Sequence, residues 1–378
     1  MKYGYSFKFL YDFEWNSSDV YFKKMKSNLK FFKKSKILPV DKFFKNVLYD
    51  NKLGYYSSRF PFGKEGDFIT SPKISNLFSE IIAIWIISTW ELFGKPKNFN
   101  IIELGPGDGS LTNILLKSFK KFPEFNSIKK VFLYEESNYL KKIQKKNILD
   151  KNVFWINDFN IIKKGPVIFF GNEFFDALPI KQFKKIENSF LEKNYILDKN
   201  NKIREVFKKA TKRDVKILKS YNSLKKLDFI EFPKFGFKEL KKIIKKISKL
   251  KGCVLIIDYG YLRSNNQNTL QSVKNHKKNS LFDNLGKADV TAHVNFELLN
   301  EFFLKSGLEV GKVISQKEFL ENMGIIERAK IVAKKMNFRE KSNLYLRIKR
   351  LLSPRSMGNL FKVILAFKFD NNNFAGFK

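Results

Sequence analysis

An acid followed by three alternating glycines stands in the run IIELGPGDGSLTNILL, which carries Glu103, Gly105, Gly107 and Gly109. Glycine is required where backbone must turn sharply and let a ligand come within contact distance, because a Cβ would occupy that space. The run therefore predicts a ligand at the carboxyl edge of a strand, at the point where a helix begins. Its spacing narrows the ligand. A dinucleotide fingerprint wants its third glycine where Ser110 stands, so Gly109 comes one residue early, and the Gly-Lys-Ser/Thr ending of a phosphate loop is missing.

The form acid-x-Gly-x-Gly-x-Gly resembles motif I of class I S-adenosylmethionine methyltransferases. That cofactor has no phosphate to cradle and carries a sulfonium and an ammonium, which suit a carboxylate such as Glu103. A tight strand-to-helix turn is the plain alternative. Further along, KKVFLYE ends at Glu135, where an acid at the tip of the next strand can accept from both hydroxyls of a ribose. The alternative there is a solvated Glu beside Glu136. NVFWIND ends in Asn157 and Asp158, which either hold the adenine amino group or form a simple turn.

A second chemical cluster follows the fourth apolar run, in VIFFGNEFFDALP, with Asn172, Glu173 and Asp176. A methyl acceptor nitrogen must aim its lone pair at the donor methyl, and carbonyl or carboxylate acceptors around it can hold that pose. A guanidinium asks for more, since its pKa exceeds about 12, its five donors match carboxylates in pairs, and attack needs density on one nitrogen. Glu173 and Asp176 suit that task. The competing assignment makes Asp176 the N-cap of a helix at Ala177 and leaves Glu173 in solvent. Of the two histidines, His293 in DVTAHVNF is a candidate base because an imidazole titrates near about pH 6.5, or else a structural hydrogen-bonding group. His276, in a Lys/Asn-rich stretch, reads as structural or solvent-exposed.

The elements that must position these groups are legible as a rhythm. FNIIELG, KKVFLYE, NVFWIND, GPVIFFGNE and GCVLIIDYG are short apolar runs of the kind buried on both faces of a parallel sheet. Helical stretches at 110–122, 139–148 and 237–250 separate most of them, so the fold class is α/β with a doubly wound sheet. Residues 181–234 alternate in SFLEKNYIL and KIREVF and predict an antiparallel β insertion, while 261–290 reads as a long, functional connection. Residues 20–60 fit two helices broken at Pro39 and closed at Gly54, and 74–93 an amphipathic helix. The expected division is an N-terminal extension with helical cap and lid loop over 1–97 and a core over 98–378.

With 378 residues, 43% hydrophobic and 16% aromatic, the chain is expected to fold as one elaborated globule. Its net charge of +36 would suit nucleic acid, yet the cations are mostly Lys spread along the chain beside abundant Asn, Ile and Phe, as AT-rich codon drift produces. Cys253 is the only cysteine, which excludes an intrachain disulfide and a thiolate zinc cluster, and no metal site is read. The longest apolar stretch, 81–90, is too short for a membrane span. A reducing compartment follows, the cytosol, with the mitochondrial matrix as alternative.

Taken in order, GYYSSRFPFGKEGDFITSPKIS, ELGPGDG, LYEES, GNEFFDALP, IDYG, the stretch from KADVTAHVNF, and SPRSMGNLFKV resemble the MidA-like methyltransferases, from about Pro39 to Phe367. This family includes the mitochondrial assembly factor of respiratory complex I that methylates an arginine. The resemblance implies a class I methyltransferase fold with an N-terminal helical cap. It implies symmetric dimethylarginine formation on a complex I subunit, with S-adenosyl-L-methionine as cofactor. It implies that Gly66, Asp67, Thr70 and Ser71 close over the cofactor, and that Asn172, Glu173, Asp176, Asp258, Asp289 and His293 line the acceptor side. Lys73 departs from the usual Glu, which predicts a weakened salt bridge under the loop, and Asn138 replaces a common proline. A nucleic-acid amino-methyltransferase and a non-catalytic assembly chaperone are the competing functions.

Overall fold

The five apolar runs form a parallel sheet, and the reason is visible in their burial. In the computed structural model, which describes residues 28–33, 35–58 and 70–377, β2 (Phe99–Leu104) is buried at all six positions. Ile101 faces one hydrophobic cluster and Ile102 the other, as period-two alternation demands of a sheet covered on both faces. Each fully buried side chain of this size contributes roughly 1.5–3 kcal/mol.

Chain order begins with β1 (Ile37–Pro39), α1 (Val40–Tyr49), α2 (Tyr55–Ser58), α3 (Ser71–Ile74) and α4 (Asn76–Leu92). After β2 come α5 (Ser110–Phe119), β3 (Lys129–Tyr134), α6 (Asn138–Asn147), β4 (Val153–Ile156) and β5 (Val167–Asn172). The insertion holds β6 (Lys181–Ile186), β7 (Ser189–Leu197), β8 (Ile203–Lys209), α7 (Lys212–Lys219) and β9 (Phe229–Phe232). Then follow α8 (Lys234–Leu250), β10 (Gly252–Tyr261), β11 (Gln271–Lys274), β12 (Lys277–Asn279), β13 (Asp289–Thr291), β14 (Val294–Asn295) and α9 (Phe296–Lys305). The chain closes with β15 (Glu309–Val310), β16 (Ile314–Ser315), α10 (Gln316–Asn322), α11 (Ile325–Ala333), α12 (Phe338–Leu352), α13 (Met357–Leu360) and β17 (Phe361–Lys368).

The main sheet runs β4-β3-β2-β5-β10-β17, parallel from β4 to β10, with β17 antiparallel and paired in turn with β15 and β16. Ile82, Trp85 and Ile86 of α4 cover one face with α5 and the helices α10 to α12. Leu240, Ile243 and Ile247 of α8 and Phe302 of α9 cover the other. The order of strand addition reverses between β2 and β5, which opens a crevice at the carboxyl edge, where ligands of such sheets collect.

A third cluster forms the cap. Val40, Phe43, Phe44, Val47 and Leu48 recur at helical spacing on α1 and pack on Ala177, Tyr195, Val290 and Ala292. β1 pairs antiparallel with β7 in the register Leu38↔Tyr195, so the cap is stitched to the insertion sheet β1-β7-β6-β9, with β8 on the far side of β7. The two N-terminal helices expected over 20–60 are represented by a helical turn at 28–32 and by α1, with Pro39 ending a strand between them. The insertion is antiparallel as expected and adds the helix α7. Residues 261–290 are more ordered than the long connection expected there: β11 and β12 join β13 in a three-stranded sheet. Among the described residues no helix is long and apolar enough to cross a membrane.

Candidate active site

β2 delivers Glu103 to the crevice floor, and the backbone then turns through left-handed glycines, with φ of +62° at Gly105, +58° at Gly107 and +81° at Gly109. A Cβ on Gly105 would stand 2.6 Å from Cδ2 of Phe174, and one on Gly109 2.8 Å from Cδ1 of Ile148. These positions exclude side chains, which is why the glycines recur at this spacing. Glu103 is buried and accepts from the Thr112 hydroxyl. Burial, aided by Asp108 and Glu135, pushes its carboxyl up to about 8.

At the end of β3, Glu135 accepts from the Ser137 amide at 2.7 Å and from Nε2 of Gln144 at 3.2 Å. The same Gln144 nitrogen donates to the Gly107 carbonyl at 2.7 Å, and its Oε1 accepts from Trp155 at 2.9 Å. One amide thus ties the glycine loop to the second acid. Glu135 is pushed up to about 7, again by burial first.

The NEFFD turn follows β5. Glu173 has φ of +54°, a strained conformation for a residue with a Cβ, and its amide donates to the Ile257 carbonyl of β10. Its Oε1 accepts from the Ser71 amide at 3.1 Å and from Nδ2 of Asn172 at 3.0 Å. Burial, with Asp176 nearby, pushes this carboxyl up to about 8. Beneath the turn, Oδ2 of Asp258 accepts from the amides of Phe175 at 2.8 Å and Asp176 at 3.3 Å. Asp258 is held well above the carboxylate range by burial and by Asp176, whose own carboxyl is pushed up by burial to about 6 with Tyr259 pulling it partly back. Among the described residues, Oδ1 of Asn172 and Oδ1 of Asp176 are buried without a hydrogen-bond partner.

These pieces surround a cavity of about 570 Å³. Its wall carries the acids Glu103, Asp108, Glu135, Glu136, Glu173 and Glu239 against three lysines, Lys45, Lys141 and Lys242. In a chain with 73 basic and 37 acidic residues, that reverses the overall balance. From the cap come Tyr49, whose hydroxyl donates to the Ala177 carbonyl at 3.0 Å, and Tyr56, whose hydroxyl reaches Asp289 at 3.3 Å.

The sequence-predicted residues do not all converge. Glu103, Gly105, Gly107, Glu135, Asn172, Glu173 and Thr70 line the cavity. Gly109 instead caps α5, and Ser71 stands behind the wall, giving its amide to Glu173 and its hydroxyl to Gln316. Asp176 is not on the wall, and no helix starts at Ala177 for it to cap. Asp158 is exposed and caps the turn 159–161 through the Asn160 amide, while its neighbour Asn157 is the one at the cavity. His293 also lies off the wall, edge-on to Tyr259 at 5.1 Å, with burial lowering its pKa. Gly66 and Asp67 lie outside the described residues. Lys73 does the opposite of weakening a bridge: it pairs with Asp108 of the glycine loop at 2.8 Å. Tyr49 and Gln144 carried no motif that would single them out, and Tyr56 lies in the quoted GYYSSRFPF stretch without having been assigned a role.

A family model described as "S-adenosyl-L-methionine-dependent methyltransferase" matches residues 81–314. The chain belongs to this family. A Xenopus tropicalis protein named "Protein arginine methyltransferase NDUFAF7, mitochondrial" is 31% identical over 324 residues, covering 79% of this chain and 74% of its own. The Homo sapiens protein of that name is 30% identical over 352 residues, 86% and 78% of the two chains. The crystal structure of a COG1565 superfamily member from Burkholderia thailandensis bound to S-adenosyl-homocysteine shares the fold, with a TM-score of 0.77 at 22% identity over 96% of this chain and 94% of that one.

The residues of this methyltransferase fit the family's cofactor. Gly105 turns with a left-handed φ where a Cβ would strike Phe174, Glu135 presents a carboxylate at the strand tip, and Glu103 is a buried acid held near neutrality. The cofactor, when bound, supplies a methyl group on a positively charged sulfur. Glu103 and Glu135 would hold its ammonium and ribose, gaining the charge that burial denies them alone. Asn172 and Glu173 face the cavity from the end of β5, the strand beside β2, and can orient a nitrogen toward that methyl.

Proposed function

We propose that the chain is a protein arginine N-methyltransferase that makes symmetric dimethylarginine on a subunit of respiratory complex I and so supports its assembly. The reading rests on one observation above others: a half-buried carboxyl, Glu173, beside a buried acceptor, Oδ1 of Asn172, that has no partner among the described residues, on the wall of an acid-rich cavity. A guanidinium brings five donors and one positive charge, which is what those two groups lack. Glu173 would ionise on meeting it and, with Asn172, hold one nitrogen in line with the methyl; positioning of this kind supplies most of the rate. The names of the relatives at about 30% identity point the same way.

The activity is placed in the cytosol, consistent with a lone buried thiol at Cys253, with the mitochondrial matrix kept as alternative by the relatives' names. The test is to incubate the purified protein and radiolabelled cofactor with lysate from a strain lacking it, then hydrolyse the labelled protein. Symmetric dimethylarginine, insensitive to nuclease and absent with Glu173→Gln, is the expected outcome. Cofactor binding without protein labelling would sink the arginine reading, and label lost to nuclease would move it to nucleic acid. Intact complex assembly with Glu173→Gln would favour a chaperone.

A further inference from the structure

Lysine is spread along this chain, but arginine is not: five of its nine arginines, Arg328, Arg339, Arg347, Arg350 and Arg355, lie within 328–355. Codon drift raises lysine everywhere and does not gather arginine in one short segment. Within 325–352, formed by α11 and α12, nine basic residues face two acids, Glu327 and Glu340. Among the described residues only Arg328 of these nine has an acidic partner, Glu80 at 2.7 Å.

The same hairpin leaves large apolar side chains in water. Phe338 is 88% exposed, Leu346 61% and Ile331 57%, with Tyr345 close behind. Steps of three and four along α12 bring Phe338, Ser342, Tyr345, Leu346 and Lys349 onto one face, flanked by Arg339 and Arg350. The opposite face, Leu344, Ile348 and Leu351, is locked in the core, which leaves this strip exposed among the described residues.

We propose that this strip docks the protein on an anionic phospholipid surface. Phe and Leu enter the headgroup boundary while Arg and Lys meet the phosphates, the pairing that interfacial helices use. Aliphatic Leu346 and Ile331 have no counterpart in a phosphate-tracking nucleic-acid groove, whose apolar contacts are stacked aromatics. The surface is also coupled to the site. The Leu351 carbonyl accepts from Nε2 of Gln316 at 3.1 Å, Oε1 of Gln316 accepts from the Ser71 hydroxyl, and the Ser71 amide holds Glu173.

Cosedimentation with phosphatidylcholine vesicles, with and without phosphatidylglycerol, tests this on the whole protein. Binding is expected only when phosphatidylglycerol is present. Phe338→Ser/Leu346→Ser should weaken it about tenfold or more, and Arg339→Glu/Lys349→Glu/Arg350→Glu more than about a hundredfold. A control of equal charge change on exposed positions of the insertion, Lys208→Glu/Lys209→Glu/Lys212→Glu, should bind like the parent. All variants should bind S-adenosyl-homocysteine normally, which certifies their folding; Phe338→Ser alone serves if a multiple variant does not. No binding to anionic vesicles, or equal loss in the control, overturns the proposal. So does retained binding in the apolar variant, which would reduce the interaction to charge attraction that any polyanion satisfies.

Discussion

The two walls of the cavity are built on different principles. On the donor side each buried acid has partners from its own neighbourhood, Thr112 for Glu103 and the Ser137 amide and Gln144 for Glu135. On the acceptor side a strained residue, Glu173, sits among Asp176 and Asp258, and two buried oxygens have no partner among the described residues. Unpaired buried acceptors cost about 1–3 kcal/mol each, a cost that an incoming donor removes. Under the proposed function the donor wall is shaped in advance for its ligand, whereas the acceptor wall is completed by it.

The widest separation between the two should come from Glu173→Gln. It keeps shape and hydrogen bonding but removes the charge, so turnover should fall at least about a hundredfold while S-adenosyl-homocysteine affinity stays within about twofold. Calorimetry together with a single-turnover assay would show it, and parallel losses would mean that the walls are not separable. Gly105→Ala attacks the other side: its Cβ meets Phe174 and its φ of +62° disfavours alanine, so cofactor-product affinity should drop about tenfold. Unchanged affinity would show that the loop relaxes freely.

Protons offer a third probe, through thermal melting of the ligand-free protein. Glu103 and Glu173 are raised from the ordinary 4.5 to about 8, and Glu135 to about 7. The folded state thus holds more protons than the unfolded state between these limits, and stability falls as pH rises from 4.5 toward 8. The melting temperature should decline through that window, less steeply in Glu103→Gln, and added cofactor product should flatten the decline. A rising profile would contradict the burial of these acids. Lys73→Glu should follow, replacing the pair with Asp108 by repulsion and weakening cofactor-product binding about fivefold. The smallest effect belongs to Asp158→Asn, whose exposed carboxylate serves a turn; a change beyond about twofold would return it to the site.

The donor wall was readable because strand ends and glycines have fixed spacing in sequence. Glu103, Gly105, Gly107 and Glu135, picked out by the ends of the apolar runs, all line the cavity, and the five runs are the five parallel strands. What escaped depends on distance along the chain. Nothing local says that Asp176 turns under its own loop rather than into the cavity, because Asp258, 82 residues later, anchors its amide. His293 was singled out by its chemistry, yet packing against Tyr259 decides its place. Lys73 looked like a defect by comparison with a usual Glu, and only the fold reveals Asp108 opposite it. The α10 to α12 helices and antiparallel β17 left no recognised rhythm, since their apolar faces are completed by α4 and β10.

The pairing of Leu38 with Tyr195 has a consequence for how the molecule comes into being. All residues of the donor wall have been synthesised by Asn172, but β1 must wait for β7, so α1 with Tyr49 and Lys45 cannot be fixed in place until later. Contacts so far apart in sequence form slowly, because a long loop must close first. A nascent chain would therefore hold a competent cofactor floor beneath an unfinished roof, and the acceptor entrance would be the last part of the site to acquire its shape.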